Sequence, residues 1–170
     1  MNLNLNDVTV NFSHLNTKSI LSDWAWLLGK SKLPILLCSS GDAFVQDKNS
    51  LEIFFLDVWS GKLKKVANST DELMTQLKGG ERANEYLSIQ WVGDILKSGL
   101  NLGNGQIFSL IKPSVLGGNF ELNNVEITDI EVHYSVNGQI HEQVKDLPAG
   151  AKIDSIKIKP PKSKRKWYQF

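Results

Sequence analysis

Cysteine is nearly missing: the chain has one, Cys38, so no internal disulfide can form. It lies inside the apolar run Ile35-Leu-Leu-Cys-Ser, where a buried, inert thiol in a reducing compartment is expected. The cytoplasm is the simplest location. Long apolar runs are also missing. The longest, Leu33 to Ser39, is strand-sized, far short of the roughly 20 residues that cross a bilayer. The first residues, Met1-Asn-Leu-Asn-Leu-Asn-Asp, offer neither a basic leader nor a small-residue cleavage site, so no signal peptide is expected. No repeat of roughly 20 to 50 residues appears, which argues against a solenoid or propeller.

Catalytic templates are missing as well. No glycine-rich loop leads to Lys and Ser or Thr, and no Gly-x-Ser-x-Gly elbow occurs. Gly103-Asn-Gly105 lacks the third glycine of a dinucleotide fingerprint and reads as a turn. A zinc site fails on ligand supply, with one cysteine and the histidines His14, His133 and His141. On a helix His133 and His141 lie too far apart to chelate one ion, and partly exposed positions beside an apolar stripe are expected for both. No cofactor is implied. Asp42, Asp47, Glu52 and Asp57 could meet as a carboxylate pair, but Asp42 and Asp47 occupy turn positions that acids favour for backbone reasons.

What is present is an ordinary globular composition, 41% hydrophobic and 22% charged over 170 residues, enough for one domain with a real core. The net charge of +1 hides a division. Lys157, Lys159, Lys162, Lys164, Arg165 and Lys166 are 6 of the 19 basic residues, so residues 1–156 hold 13 basic against 18 acidic groups, a net −5. The expected organisation is a mildly acidic α+β domain over 1–156 and a basic, aromatic tail over 157–170. An acidic body can steer a basic partner. The tail, with Trp167, Tyr168 and Phe170, is the best nucleic-acid candidate, although a solvated extension suits an acidic body better.

Along the chain, Leu3, Leu5, Val8 and Val10 suggest a short edge strand. Thr17 or Ser19 should cap a helix running to Leu28, stopped by Gly29. Strands are expected at Leu33–Ser39, Ala43–Gln46, Leu51–Val58 and Leu63–Ala67. The turns between them make an antiparallel meander. Ser69 with Glu72 forms a capping box before a helix ended by Gly79-Gly80, and a longer helix should span Ala83 to Lys97. Turn and strand return over Leu100–Ile111, and Lys112-Pro-Ser-Val-Leu-Gly-Gly118 should be irregular.

The segment 127–147 carries two periods. Ile130, Val132, Tyr134 and Val136 alternate into Asn137-Gly138, a hairpin signal. Against it, Val132, Val136, Ile140 and Val144 keep helical spacing for four turns, and Thr128 with Glu131 resembles a capping box. A helix is predicted, at a cost of roughly 1 kcal/mol for its internal glycine. Ile153, Ile156 and Ile158 are expected to form a last strand. Trp24, Trp26 and Trp91 are core candidates, and Trp59, beside a turn, is the tryptophan expected at the surface as a contact.

The ordered motifs Trp24-Ala-Trp-Leu-Leu-Gly29, Ser40-Gly-Asp-Ala-Phe44 and Phe55-Leu-Asp-Val-Trp-Ser-Gly-Lys62 resemble a bacterial family. Lys112–Gly118, Asn124-Val-Glu-Ile-Thr-Asp129 and Gly138-Gln-Ile-His-Glu-Gln-Val-Lys-Asp-Leu-Pro148 extend the match. Together, over about residues 20–153, they are similar to the C-terminal domain of immunity proteins against type VI secretion DNase toxins. The resemblance implies an α+β fold and a non-enzymatic protein that binds a cognate toxin, and it supports the helix around Gly138. It carries over no site residues. The companion domain that precedes this one in the namesake proteins is expected to be absent or reduced to roughly twenty residues, and the basic tail is expected to be an addition.

An inhibitor of a nucleic-acid enzyme profits from an acidic surface. Glu121, Glu126, Asp129 and Glu131 are the expected contacts, with Trp59 as an anchor. The alternatives are an interaction module with another partner and, third, a nucleic-acid binder acting through Lys162, Lys164, Arg165 and Lys166. No membrane partner is implied, and no motif sets the oligomeric state.

Overall fold

Short turns between apolar runs close a five-stranded antiparallel sheet, in the computed structural model that describes residues 3–148 and 150–161. Its strands are β1 (Thr9–Val10), β2 (Lys32–Cys38), β3 (Ala43–Asp47), β4 (Ile53–Asp57) and β5 (Lys62–Ala67), paired in sequence order. The register sets Leu33 opposite Gln46, Phe44 opposite Phe55 and Phe55 opposite Lys64. The meander expected from the turn residues is therefore present. Both of its faces are buried. Phe44, Ile53 and Cys38 face α4 (Thr70–Leu77), α5 (Glu81–Leu87) and α6 (Ile89–Lys97), while Leu37, Val45 and Leu56 face the other layer. That layer contains α2 (Thr17–Ile20), α3 (Ala25–Leu28) and the long α7 (Ile130–Val144). The architecture is an α+β single domain. Among the described residues no helix is long and apolar enough to cross a membrane.

Several local expectations give way to packing. A one-turn helix, α1 (Leu5–Val8), precedes the edge strand. The segment to Leu28 is three short helical turns rather than one helix, with Asn16 as its cap instead of Thr17 or Ser19. Ser69 does cap α4 by accepting from Glu72 N, but the Glu72 carboxylate reaches one residue further, to Asn68 N at 2.8 Å. The helix expected over Ala83–Lys97 breaks at Ser88, whose φ is 48°. The physical cause is phase. Leu87 and Val92 are both buried but five residues apart, and a continuous helix would turn them roughly 140° from each other.

Val125–Asp129 is a strand, β7, paired with β6 (Gln106–Leu110). Thr128 therefore lies in β7 and caps nothing, and Asp129 stands at the N-cap of α7. The helix through Gly138 is as predicted. The irregular run after Ile111 includes one 3-10 turn, Ser114–Leu116. No strand forms at Ile153–Ile158, although Lys157 and Lys159 are held by side chains of α7. The basic residues Lys162, Lys164, Arg165 and Lys166 lie outside the described residues.

Candidate functional site

The meander presents two hairpin turns at one end, and α7 lies across them. Gly41 and Gly61 adopt φ of 102° and 65°, a region that favours glycine. Each also leaves room for a histidine ring. A Cβ on Gly41 would stand 2.7 Å from the His133 ring, and one on Gly61 would overlap His141. The two histidines are eight residues apart, about 12 Å along a helix, and the two hairpins are two strand spacings apart, about 9.5 Å. Their match seats α7 on the turns. His133 is 1% and His141 5% exposed, which corrects the expectation of partly exposed positions.

His133 Nε2 meets the Gly41 carbonyl at 3.0 Å and so donates, leaving Nδ1 to accept from Ser109 Oγ at 3.0 Å. Burial lowers its pKa from 6.5 to about 4. The Tyr134 hydroxyl donates to the Asp42 carbonyl at 2.9 Å. Asp42 is buried, and its carboxylate accepts from Val58 N at 2.9 Å. Burial, with Asp57 nearby, pushes its pKa well up. Asp42 therefore belongs to the floor of the site rather than to an exposed turn. Asp57 accepts from Ser60 N at 2.9 Å and Ser60 Oγ at 2.5 Å. Both carboxylates brace hairpin backbone. The Cys38 thiol is fully buried, and burial raises its pKa well above the ordinary value.

On this floor stands an aromatic cluster. Trp59, from the β4–β5 turn, is half-buried and donates Nε1–H to the Ser40 carbonyl at 3.0 Å. Its ring meets His133 at 5.3 Å, Phe120 at 5.7 Å and Trp91 at 6.4 Å, all edge to face. Trp91, on α6, donates to the Phe120 carbonyl at 2.8 Å. Phe120 is held from behind by the irregular motif. Asn124 accepts from Lys112 N at 3.0 Å and donates to the carbonyls of Lys112 and Asn119. Gly118 is needed there because a Cβ would overlap the Lys112 carbonyl. Ser114 Oγ donates to the Trp59 carbonyl at 2.7 Å, closing the bracket.

The cluster walls a cleft of about 390 Å³ that also contains Tyr86, Lys62, Lys64 and Glu85. Phe120 and Leu122, each 46% exposed, continue it into an open apolar groove bordered by Asp94 and Glu121. Rings fixed by hydrogen bonds at their polar edge and open on one face make rigid anchors for a protein partner. A second cleft, of about 330 Å³ beside the Asn101–Gly105 loop, is polar and asparagine-lined. Among the described residues no cluster of three His, Cys, Asp or Glu could hold a metal ion.

Of the residues singled out by sequence, Trp59 and Glu121 border this surface. Glu126 is exposed on β7, Asp129 stands at the N-cap position of α7 and Glu131 is half-buried in its first turn. None of these three lines the cleft or the groove. Trp91, Phe120 and Leu122 were not anticipated as surface groups. The one signal for Phe120 was an isolated aromatic in the polar run Gly118-Asn-Phe-Glu121.

The hydrogen-bonded aromatic surface thus stands on a two-faced α+β scaffold. Residues 67–141 match the family model described as "T6SS immunity protein Tdi1, C-terminal", the family that the sequence motifs resemble. The match runs from the end of β5 into α7, so it contains Trp91, Phe120 and the four acids, but not Trp59. A solved structure, of Atu4351 from Agrobacterium tumefaciens, is similar at 17% identity and a TM-score of 0.47 over 74% of this chain. This chain spans 65% of the length of that one. No curated protein matches the sequence.

Proposed function

We propose that this chain is a non-enzymatic immunity protein that neutralises a cognate type VI secretion toxin by binding it, with Trp59, Trp91 and Phe120 as the anchor. The observation that carries the reading is the immunity-family match over the segment that supplies Trp91 and Phe120. Large, pre-positioned rings contribute most where partner groups exclude water around them. Opposite charge then raises the association rate. With a net −5 over residues 1–156, the body suits a toxin whose active site is basic, as a DNase's is. Glu121, beside the anchor, is the first acidic contact, and Glu126, Asp129 and Glu131 extend the acidic surface. Neutralisation on this reading takes place in the cytoplasm, where such a toxin meets DNA and where a lone buried thiol stays reduced.

The test is co-expression with candidate type VI secretion effectors from the same genome, read as growth, and titration of the purified proteins. Wild type restores growth. Phe120→Asp, at an exposed position, weakens affinity on the order of 30-fold or more while leaving the melting temperature nearly unchanged. Trp59→Ala acts in the same direction. Unchanged affinity in both variants would remove this surface from the contact.

A further inference from the structure

The glutamines Gln139 and Gln143 stand one turn apart on α7 and treat the segment beyond Gly150 in the same way. The Gln139 amide accepts from Lys159 N at 2.8 Å and donates to the Lys159 carbonyl at 2.9 Å. The Gln143 amide accepts from Lys157 N at 3.0 Å and donates to the Lys157 carbonyl at 3.0 Å. Each side-chain amide thus pairs with one whole residue of main chain, as a neighbouring strand would. The spacing explains why two fit. Four residues of helix rise about 6 Å, and two residues of extended chain rise about 6.6 Å.

Both amides are oriented beforehand. Gln139 is 8% exposed and also donates to Ser135 Oγ at 3.0 Å, while Ser135 in turn donates to Asp23 at 2.5 Å. Gln143 Nε2 donates to the Gln139 carbonyl at 2.9 Å. The occupant contributes no side chain to this pairing. Lys157 and Lys159 are exposed, and Ile158 between them is 43% exposed. Among the described residues, the main chain from Pro148 to Ser155 makes one turn bond of its own, Ala151 N to the Pro148 carbonyl. The segment is tied at the ladder.

We infer that Gln139 and Gln143 form a binding site for extended polypeptide main chain, indifferent to side-chain identity, whose resident ligand is this chain's own Lys157–Lys159. The site fixes the path of Lys157–Lys159 along α7. It does not depend on the toxin-binding reading, since neither glutamine lines the aromatic cleft.

The full chain supplies the first test, by residue-resolved amide hydrogen exchange. Lys157 and Lys159 should exchange on the order of tenfold more slowly than in a free peptide, and Ile158 between them at the free rate. Gln143→Ala should remove the protection of Lys157. For the second, Lys157→Pro/Lys159→Pro in the full chain withdraws both resident donors at exposed positions and leaves α7 intact. Tenfold protection at an effective concentration of about 1 mM converts to a Kd of about 0.1 mM for a labelled peptide spanning residues 155–161. Binding should survive replacement of its lysines by serine and vanish on N-methylation at positions 157 and 159. Three results would overturn the inference: uniform exchange across residues 157–159, protection that grows with protein concentration and so assigns the ligand to a second copy, or no saturable binding at millimolar peptide.

Discussion

Two tryptophan pairs use the same hydrogen bond for opposite ends. Trp24 and Trp26 stack at 5.9 Å and donate their indole N–H groups to the carbonyls of Tyr134 and Gly138, one turn apart on α7. Trp59 and Trp91 meet edge to face at 6.4 Å and donate to the carbonyls of Ser40 and Phe120. Every polar edge is satisfied on main chain. What differs is the setting of the rings: Trp24 is fully enclosed behind a half-buried Trp26, whereas Trp59 is half open along the cleft and Trp91 along the groove beside it. A pair anchored by one enclosed ring holds a helix in place, and a pair with neither ring enclosed is available to a partner.

That contrast can be broken most severely on the buried side. Trp24→Ala should cost about 4 kcal/mol, because it empties a large enclosed volume and leaves the Tyr134 carbonyl short of a donor. Gly138→Ala should cost about 2 kcal/mol even though alanine favours a helix. Its Cβ would lie 2.8 Å from the Asp23 carbonyl and 3.0 Å from Trp24, so the helix must lift. Denaturant titration of both variants reads these losses. An unchanged midpoint for Gly138→Ala would mean that α7 is not clamped there.

The same contrast separates what could be read in the sequence from what could not. The meander was legible almost to the residue, because its turns announce themselves locally in Ser40-Gly41-Asp42 and Ser60-Gly61. The helix through Gly138 was legible because its stripe persists while the hairpin alternation fails. The seat of α7 was not. His133 is buried by Gly41, 92 residues away, and no periodicity in either segment records that meeting. Ala83 to Lys97 read as one helix, but the core takes both Leu87 and Val92 inward, and Ser88 absorbs the difference in phase. The open pair suffered most. Trp59 was placed at the surface, but its neighbours Trp91 and Phe120 come from a helix and a loop that only the Asn124 bracket brings together.

Acid should weaken the seat of α7 next. His133 is neutral in the fold with a pKa of about 4, against 6.5 when unfolded, so the folded state binds fewer protons between those values. Its contribution is complete above pH 6.5 and is lost as pH falls towards 4, by about 3 kcal/mol in all. His141, whose pKa burial also lowers, acts with the same sign. Asp42 opposes them, since its pKa is raised and its protonation restores stability on acidification. His133→Asn should be less stable than wild type at pH 7 and show a flatter decline to pH 4.5. Parallel declines in the two proteins would place the acid sensitivity elsewhere.

The smallest expected effects sharpen the open side, by asking which acids belong with the tryptophans. Glu121 follows Phe120 and borders the apolar groove, whereas Glu126 and Glu131 sit on β7 and the first turn of α7, outside both the groove and the cleft. A charge at the rim of a contact acts chiefly on association. Glu121→Lys should therefore slow association with the proposed toxin on the order of a few-fold at low salt, and the difference should shrink as salt shortens the screening length. Glu126→Lys and Glu131→Lys should change the rate less, with dissociation unaffected in all three. If Glu126 and Glu131 dominate, the toxin is steered to the start of α7 and the aromatic pair is peripheral to the contact. Stopped-flow association at two ionic strengths decides between these centres without disturbing a buried residue, because Glu121 and Glu126 are exposed and Glu131 is half-buried.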